Sequence, residues 1–402
     1  MKDLRPPFLG LKDINPYEYF KDIKTPCYVI DEAMIIKDCK ILKSVQDKTG
    51  AKILLAQKAF SNFDLYDVIE PYLAGTEASG LYEARLGKEE MPNKEVHVFS
   101  AAYRDDEFNE ILKYADHIIF NSVSQLKRFG RIAKDNSKEI GLRINPEFST
   151  QPGHEIYDPC SSGSRLGVTI DSFENEMTDE LINMLDGIHF HTLCQQNSTD
   201  LENTLNVVLD KFGKYFNNLK WINFGGGHHI TRYDYDIERL IKCINLVKNK
   251  YNVDVYLEPG EAVVLNAGYV LTKVLDSFNK NGMNFLIVDT SAACHFPDVL
   301  EMPFLPPLYL ADLDGNDILY RIGCPTCLTG DVIGNYKFKN KINIGDLLIF
   351  GDMALYTTCK NNTFNGMPLP DIYIMKKDKK IIKITDFGYK DFKMRLGKLN
   401  KK

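Results

Sequence analysis

From Lys52 to Glu258 short β-like runs alternate with stretches of helical period, and this alternation narrows the possible folds more than any other feature of the chain. The runs are KILLAQK (52–58), YLAGTEAS (72–79), VHVFS (96–100) and HIIFNS (117–122), followed by GLRIN, IHFHT, WINFGGG and VYLEPG. Between them, Gly80–Glu89, Asp106–Tyr114, Val123–Ala133, Asp200–Phe216 and Asp236–Lys250 carry apolar residues at three- and four-residue spacing, as a helix with one buried stripe does. A helix between consecutive strands returns the chain to the same edge, so the strands pair in parallel. Eight such units predict a closed (β/α)8 barrel, here over 25–265.

After Val263 the texture changes. YVLTKVL, NFLIVDT, ILYRIG, DLLIFGDMALY and IKITDF are separated by turns rich in glycine, asparagine and proline, without clear helical segments. This predicts an antiparallel β-domain over 266–402, joined by residues 1–24, which fit no barrel unit. The lysine-rich end from Lys376 reads as a strand pair with a solvated tail. A chain of 402 residues suits two such domains.

The net charge of −6 offers no basic surface for nucleic acid and favours cationic small molecules. No run approaches the roughly 18 apolar residues that a membrane span needs, and the opening MKDLRPPFLGLKDINPYEYF lacks a signal-peptide core. Nine scattered cysteines, an odd number, fit reduced thiols better than a disulfide framework. A cytoplasmic protein without membrane or nucleic-acid partners is expected.

Barrels of this kind carry their reactive residues at the C-terminal ends of the strands. Those ends hold Lys58, Glu77, Arg143, His191, Gly225 to Gly227 and Glu258, mostly poor residues with which to finish a buried apolar strand. Desolvation lowers the pKa of a strand-end ammonium and makes Lys58 competent to bond an aldehyde; a surface lysine is the plainer alternative. Three glycines after WINF let backbone N–H groups approach a phosphate, or simply make a tight turn. A lysine for an aldehyde and a cradle for a phosphate in one mouth together imply pyridoxal 5'-phosphate.

Glu258, in LEPGE, is then placed to keep the pyridine nitrogen protonated. His191 is placed to stack on the ring, with His189 on the same side of the strand but deeper. No metal is expected, because the paired histidines have no third ligand at motif-like spacing. Cys324 and Cys327 form one C-x-x-C without a second, which favours a lone reactive thiol over zinc or redox chemistry.

The ordered landmarks TPCYVID, LLAQKAF, HFH, FGGG, EPG, CPTCLTGD and GDMALYT resemble, over nearly the whole chain, the fold-type III (alanine-racemase-like) pyridoxal-dependent decarboxylases. The resemblance implies that Lys58 bonds the cofactor, His191 stacks on its ring and Glu258 pairs with its nitrogen. It also implies that Gly225, Gly226, Gly227 and Tyr356 bind the phosphate, and Arg143 in the same mouth joins the cofactor-binding candidates. Cys327 and Asp331 resemble the thiol and carboxylate that the family supplies from the partner subunit of a homodimer.

Two departures point to a branch. EPGR in the ornithine and diaminopimelate enzymes becomes EPGE here, with Glu261 replacing the arginine, and the residue after the reactive cysteine is Leu328, not an acid. These features look like the branch that decarboxylates carboxynorspermidine and carboxyspermidine, whose additional amines require a carboxylate partner. Asp298 and Glu301 in HFPDVLEMPF, together with Asp331 and Glu261, are the substrate-binding candidates, with a solvated loop as the alternative for the first two. Either Cys327 or Lys58 returns a proton to Cα. Diaminopimelate decarboxylation, which needs cations for a second carboxylate, is the rival chemistry; a non-catalytic regulator of this fold is the rival class, against which intact Lys58, Glu258 and Cys327 argue.

Overall fold

Strand β1 (Cys27–Asp31) precedes eight strands that pair in parallel: β2 (Lys52–Ala56), β3 (Gly75–Ala78), β4 (Glu95–Phe99), β5 (His117–Phe120), β6 (Glu139–Arg143), β7 (Gly187–His189), β8 (Trp221–Asn223) and β9 (Asp254–Leu257). In this computed structural model, which describes residues 3–151, 153, 155–312 and 317–397, each of the eight pairs with the next. β2 closes the ring on β9 through Lys52↔Tyr256 and Ile53↔Leu257. The expected barrel is thus present. The ends of the expected β-domain ranges, 1–2 and 398–402, lie outside the described residues.

The intervening helices form where the apolar stripe and a cap coincide. In Val123–Asp135 the Ser122 hydroxyl accepts from the Gln125 N–H, and Val123, Leu126, Phe129, Gly130 and Ala133 make the buried face. Ile237–Tyr251 is capped by Asp236 and ends at Asn252, whose φ of 53° is left-handed.

The barrel interior is filled by Leu54, Ile119, Trp221 and Tyr256. A Cβ on Gly187 would lie 2.1 Å from Trp221 Cδ2, and one on Gly141 2.3 Å from Cη2, so the indole rests on the bare backbone of two neighbouring strands. At this N-terminal end Lys52 donates to Glu95 at 2.7 Å and the Tyr256 hydroxyl donates to it at 2.9 Å. The His97 and His117 rings stack at 3.9 Å. Burial, and then His97 beside it, push His117 down to about 2, so it stays neutral. Glu95, His97 and His117 bring ligand-type atoms within 4.8 Å of one another. Stacked imidazoles, however, aim their lone pairs along nearly parallel planes, not at a common point, and Lys52 already compensates Glu95. The group is the polar floor of the barrel.

The remaining strands are β10 (Gly268–Lys280), β11 (Met283–Val288), β12 (Ile318–Gly323), β13 (Val332–Phe338), β14 (Leu347–Gly351), β15 (Asp371–Met375) and β16 (Ile381–Thr385). They form one sheet in the order β13-β12-β11-β10-β1-β15-β16, with β14 also on β10. The sheet is mixed, not antiparallel: β1 pairs in parallel with β15, and β11 with β12. Both parallel pairs join segments far apart in the chain, so no local turn announces them. Single helical turns at Ala292–His295 and Asp298–Glu301, and the helix Tyr389–Arg395, also interrupt the expected all-strand texture; they are too short to show a period.

By internal contacts the chain divides into Met1–Ile35 with Val264–Lys402, and Ile36–Val263. β1, inside the range expected for the barrel, is therefore part of the second sheet. Phe8, Leu11 and Phe20 share a core with Cys27, Tyr269, Leu271, Ile349 and Tyr373. Among the described residues no helix is long and apolar enough to cross a membrane.

Replacing Trp221 by alanine should cost the fold roughly 3–5 kcal/mol, because the bare backbone around the indole cannot collapse into the void. A shift of the urea unfolding midpoint, followed by circular dichroism, measures it; an unchanged midpoint would show that the indole does not hold the floor.

Candidate active site

A strand end at the barrel mouth presents its side chains to a cavity walled by neighbouring strands, where water is scarce and charges must find one another. Lys58 stands two residues beyond β2, on a turn closed by Ala59 N–H to Ala56 O at 3.1 Å and Gln57 N–H to Glu77 O at 3.0 Å. Its Nζ donates to Glu77 Oε2 at 3.1 Å. Glu77, the third residue of β3, is buried.

Glu258 directly follows β9, with its N–H on Gly225 O at 2.8 Å. Its Oε1 accepts from Asn223 Nδ2 at 2.6 Å, and its Oε2 lies 3.0 Å from His189 Nε2. A carboxylate has about four lone-pair sites, so two remain for a further donor. His191 Nδ1 accepts from Gly226 N–H at 3.2 Å, which leaves Nε2 to carry the ring proton. Arg143, the last residue of β6, donates to His191 O at 3.1 Å and lies over the Phe99 ring at 4.7 Å. Phe99 stacks in turn on His189.

These contacts decide the charges. Burial alone would lower Lys58, but Glu77 and Glu258 outweigh it and its pKa is raised. The sequence argument that desolvation leaves Lys58 with a depressed pKa is therefore corrected: desolvation is present, and two carboxylates reverse its effect. Burial, reinforced by Glu258, pushes Glu77 up to about 7 against the pull of Lys58. Burial also opposes the charge on Glu258, yet His189 and Lys58 hold it down at about 2. Burial, Arg143 and Lys58 hold His191 well below its ordinary value, so the ring is neutral.

A cavity of about 570 Å³ is lined by Lys58, Glu77, Arg143, His189, His191 and Glu258, with the loop from Glu155 to Leu166 forming another wall. The residues fit pyridoxal phosphate: an amine that reaches the cavity, an ionised carboxylate with spare acceptor sites for a pyridinium, and a neutral imidazole for the ring face. The glycines carry a different burden from the expected one. Gly225 N–H is held by Asn223 Oδ1 at 2.8 Å, and Gly226 N–H by His191. Gly225 and Gly227 have φ of 69° and 81°, and a Cβ on Gly227 would meet Leu193 O at 2.0 Å. Backbone crowding thus demands glycine here, and Gly227 N–H alone of the three has no acceptor among the described residues.

Glu261, in place of the arginine, is bonded to His229 Nε2 at 2.6 Å and Gln195 Nε2 at 3.2 Å. The other candidates lie in the second unit. Cys327 is exposed, with its N–H on Asn365 Oδ1 at 2.7 Å. Asp331 is buried and accepts from Ser291 Oγ, Thr326 Oγ1 and Ala293 N–H, so its carboxylate anchors the turn that carries Cys327. Tyr356 is held at φ 48°, uncommon for an aromatic residue. Asp298 and Glu301, one helical turn apart instead of in a loop, both bind Lys360. Sequence reasoning gave no role to Asn223 or to the Lys58–Glu77 pair. The signal for both was a polar residue at a strand end.

The model of the family described as "Pyridoxal-dependent decarboxylase, C-terminal sheet domain" matches residues 27–354, and the chain belongs to this family of decarboxylases, which use pyridoxal phosphate. Among curated proteins it is 41% identical to the carboxynorspermidine/carboxyspermidine decarboxylase of Campylobacter jejuni, over 94% of this chain and 100% of that protein. It is 36% identical to the carboxyaminopropylagmatine decarboxylase of Synechocystis, over 93% and 96% respectively. Among solved structures, the Campylobacter jejuni carboxynorspermidine decarboxylase complexed with norspermidine superposes with a TM-score of 0.85 at 39% identity, covering 93% of this chain and 100% of that one.

Glu77→Gln removes the carboxylate that does most to keep Lys58 protonated. The pH midpoint for attachment of pyridoxal phosphate to the cofactor-free protein, followed in the visible spectrum, should fall. A midpoint that stays in place or rises would show that Glu77 does not govern this lysine.

Proposed function

We propose that this enzyme decarboxylates carboxyspermidine or carboxynorspermidine to the corresponding triamine. The observation that carries the proposal is full-length similarity to an enzyme named for both substrates, over a cavity in which Lys58, His191 and Glu258 take complementary charge states. Pyridoxal phosphate, when bound, supplies an electron-poor ring that takes up the electron pair left as the α-carboxylate departs as carbon dioxide.

The chain's residues do the rest. Lys58 would hold the cofactor through its aldehyde, and Glu77, with its pKa raised by burial, is the base within reach of the proton that Lys58 must lose first. Glu258, held below the ordinary carboxylate range by His189 and Lys58 against its burial, would keep a heterocyclic partner protonated. His189 and Asn223 orient that carboxylate, and neutral His191 covers the ring face without adding charge. Gly227, whose N–H has no acceptor among the described residues, and Tyr356 would serve the phosphate end, in a loop shaped by Gly225 and Gly226, and Arg143 would line the cofactor's cavity. Cys327 or Lys58 protonates Cα at the close.

The working form in this reading is a homodimer in which Cys327 comes from the partner, with Asp331 bracing its turn. Asp298, Glu301 and Glu261 contribute negative charge toward a cationic substrate. The cysteines are free thiols, as a reducing cytoplasm allows.

The test is turnover of carboxyspermidine, carboxynorspermidine, carboxyaminopropylagmatine and diaminopimelate by the purified enzyme. Carboxylated triamines should be preferred, and faster turnover of either other compound would overturn the assignment. Lys58→Ala should abolish both turnover and the visible band, and borohydride reduction of the native enzyme should leave the pyridoxyl group on the Lys58 peptide by mass spectrometry; the group on another peptide would refute the role of Lys58.

A further inference from the structure

We infer that Glu155 is a specificity-determining residue: its carboxylate binds a cationic nitrogen of the substrate beyond the reacting carbon. This rests on the proposed decarboxylation of a carboxylated triamine, which carries two ammonium groups in addition to the reacting amine.

Four carboxylates line the cavity that holds Lys58. Glu77 is committed to Lys58, and Glu258 to His189 and Asn223. Asp158 is buried and caps Cys160 N–H at 2.8 Å. Glu155 is exposed, and its side chain makes no hydrogen bond or ion pair to any described residue. It is the cavity's uncommitted negative charge among them. Asp298 and Glu301, by contrast, already hold a cation, Lys360.

The loop that carries Glu155 is held on both sides. Before it, Thr150 Oγ1 donates to Gln196 Oε1 at 2.5 Å, and Gln151 Nε2 to Cys194 O at 2.7 Å. After it, Asn145 Nδ2 donates to Leu166 O at 3.1 Å, and Asn121 clamps both Gly167 N–H at 2.8 Å and Arg165 O at 2.9 Å. The single turn Glu155–Tyr157 therefore stays on the cavity rim while the Glu155 carboxylate remains unspent. An ammonium drawn from water into this cavity loses hydration that a carboxylate must replace, and Glu155 is placed to do so without releasing an existing partner.

The experiment compares wild-type holoenzyme with Glu155→Gln and Glu155→Asp. It measures KM and kcat for carboxyspermidine and carboxynorspermidine, and the affinity for spermidine by calorimetry. Glu155→Gln should raise KM and weaken spermidine binding about tenfold or more while kcat stays within about twofold, and Glu155→Asp should recover much of the loss. The cofactor's visible band should be the same in all three. Unchanged KM and spermidine affinity in Glu155→Gln, or a fall in kcat alone, would overturn the inference. If wild type turns over neither carboxylated triamine, the proposed function fails by itself. The calorimetric arm still decides Glu155: weakened spermidine binding in Glu155→Gln supports its role, and equal binding or none to wild type refutes it.

Discussion

Glu258 must remain a carboxylate in a place where burial opposes its charge, and the barrel mouth is organised around that requirement. Two donors fix it: His189 at the end of one strand and Asn223 at the end of the next. Asn223 also holds Gly225 N–H, and Glu258 N–H returns to Gly225 O, so one side-chain triad ties the ends of β7, β8 and β9 together. Loss of any one member would leave a buried charge or a buried donor without its partner, which costs more than the bond itself contributes. The same anion raises Lys58 and Glu77. The charge state of Lys58 thus follows from Glu77 first and from Glu258 behind it.

The two ends of the barrel divide their labour along this line. At the N-terminal end Glu95, Lys52 and Tyr256 satisfy one another, Trp221 donates to Glu139, and the stacked imidazoles of His97 and His117 fill the remaining space. At the C-terminal end the cavity leaves the Lys58 side chain about one-third exposed and leaves acceptor sites on Glu258. Both ends contain buried histidine, but the floor's Glu95 is half-buried whereas Glu77 and Glu258 at the mouth are buried. What separates floor from mouth is that Lys52, Glu95 and Tyr256 close on one another, whereas Lys58 and Glu258 line a cavity.

The second unit shows how much a fold can depend on pairings that no local pattern announces. β1 reads as a strand from its own residues, yet only its register with β10 and β15 assigns it to a sheet. Asp331 is a substrate-binding candidate through the family resemblance; its three hydrogen-bond donors, visible only in the fold, also make it the brace of the Cys327 turn. Asp298 and Glu301 read as candidate partners of a substrate amine or as solvated loop carboxylates, and a helical turn shorter than any detectable period places both on Lys360.

The sequence by itself determined the barrel, its strand ends and the placing of Lys58, His191 and Glu258 at one mouth, because period and position within a β/α unit are local properties that burial rewards directly. It could not determine charge. Desolvation of Lys58 was legible from its strand; the two carboxylates that reverse its effect arrive from β3 and β9 and meet it only when the ring closes. The glycines of WINFGGG were legible as a tight loop, but the atoms that forbid a side chain there, such as Leu193 O, come from the neighbouring strand's loop. Tertiary structure decided what through-space proximity controls: protonation, the partners of each polar atom, and the cavity that Glu155 overlooks.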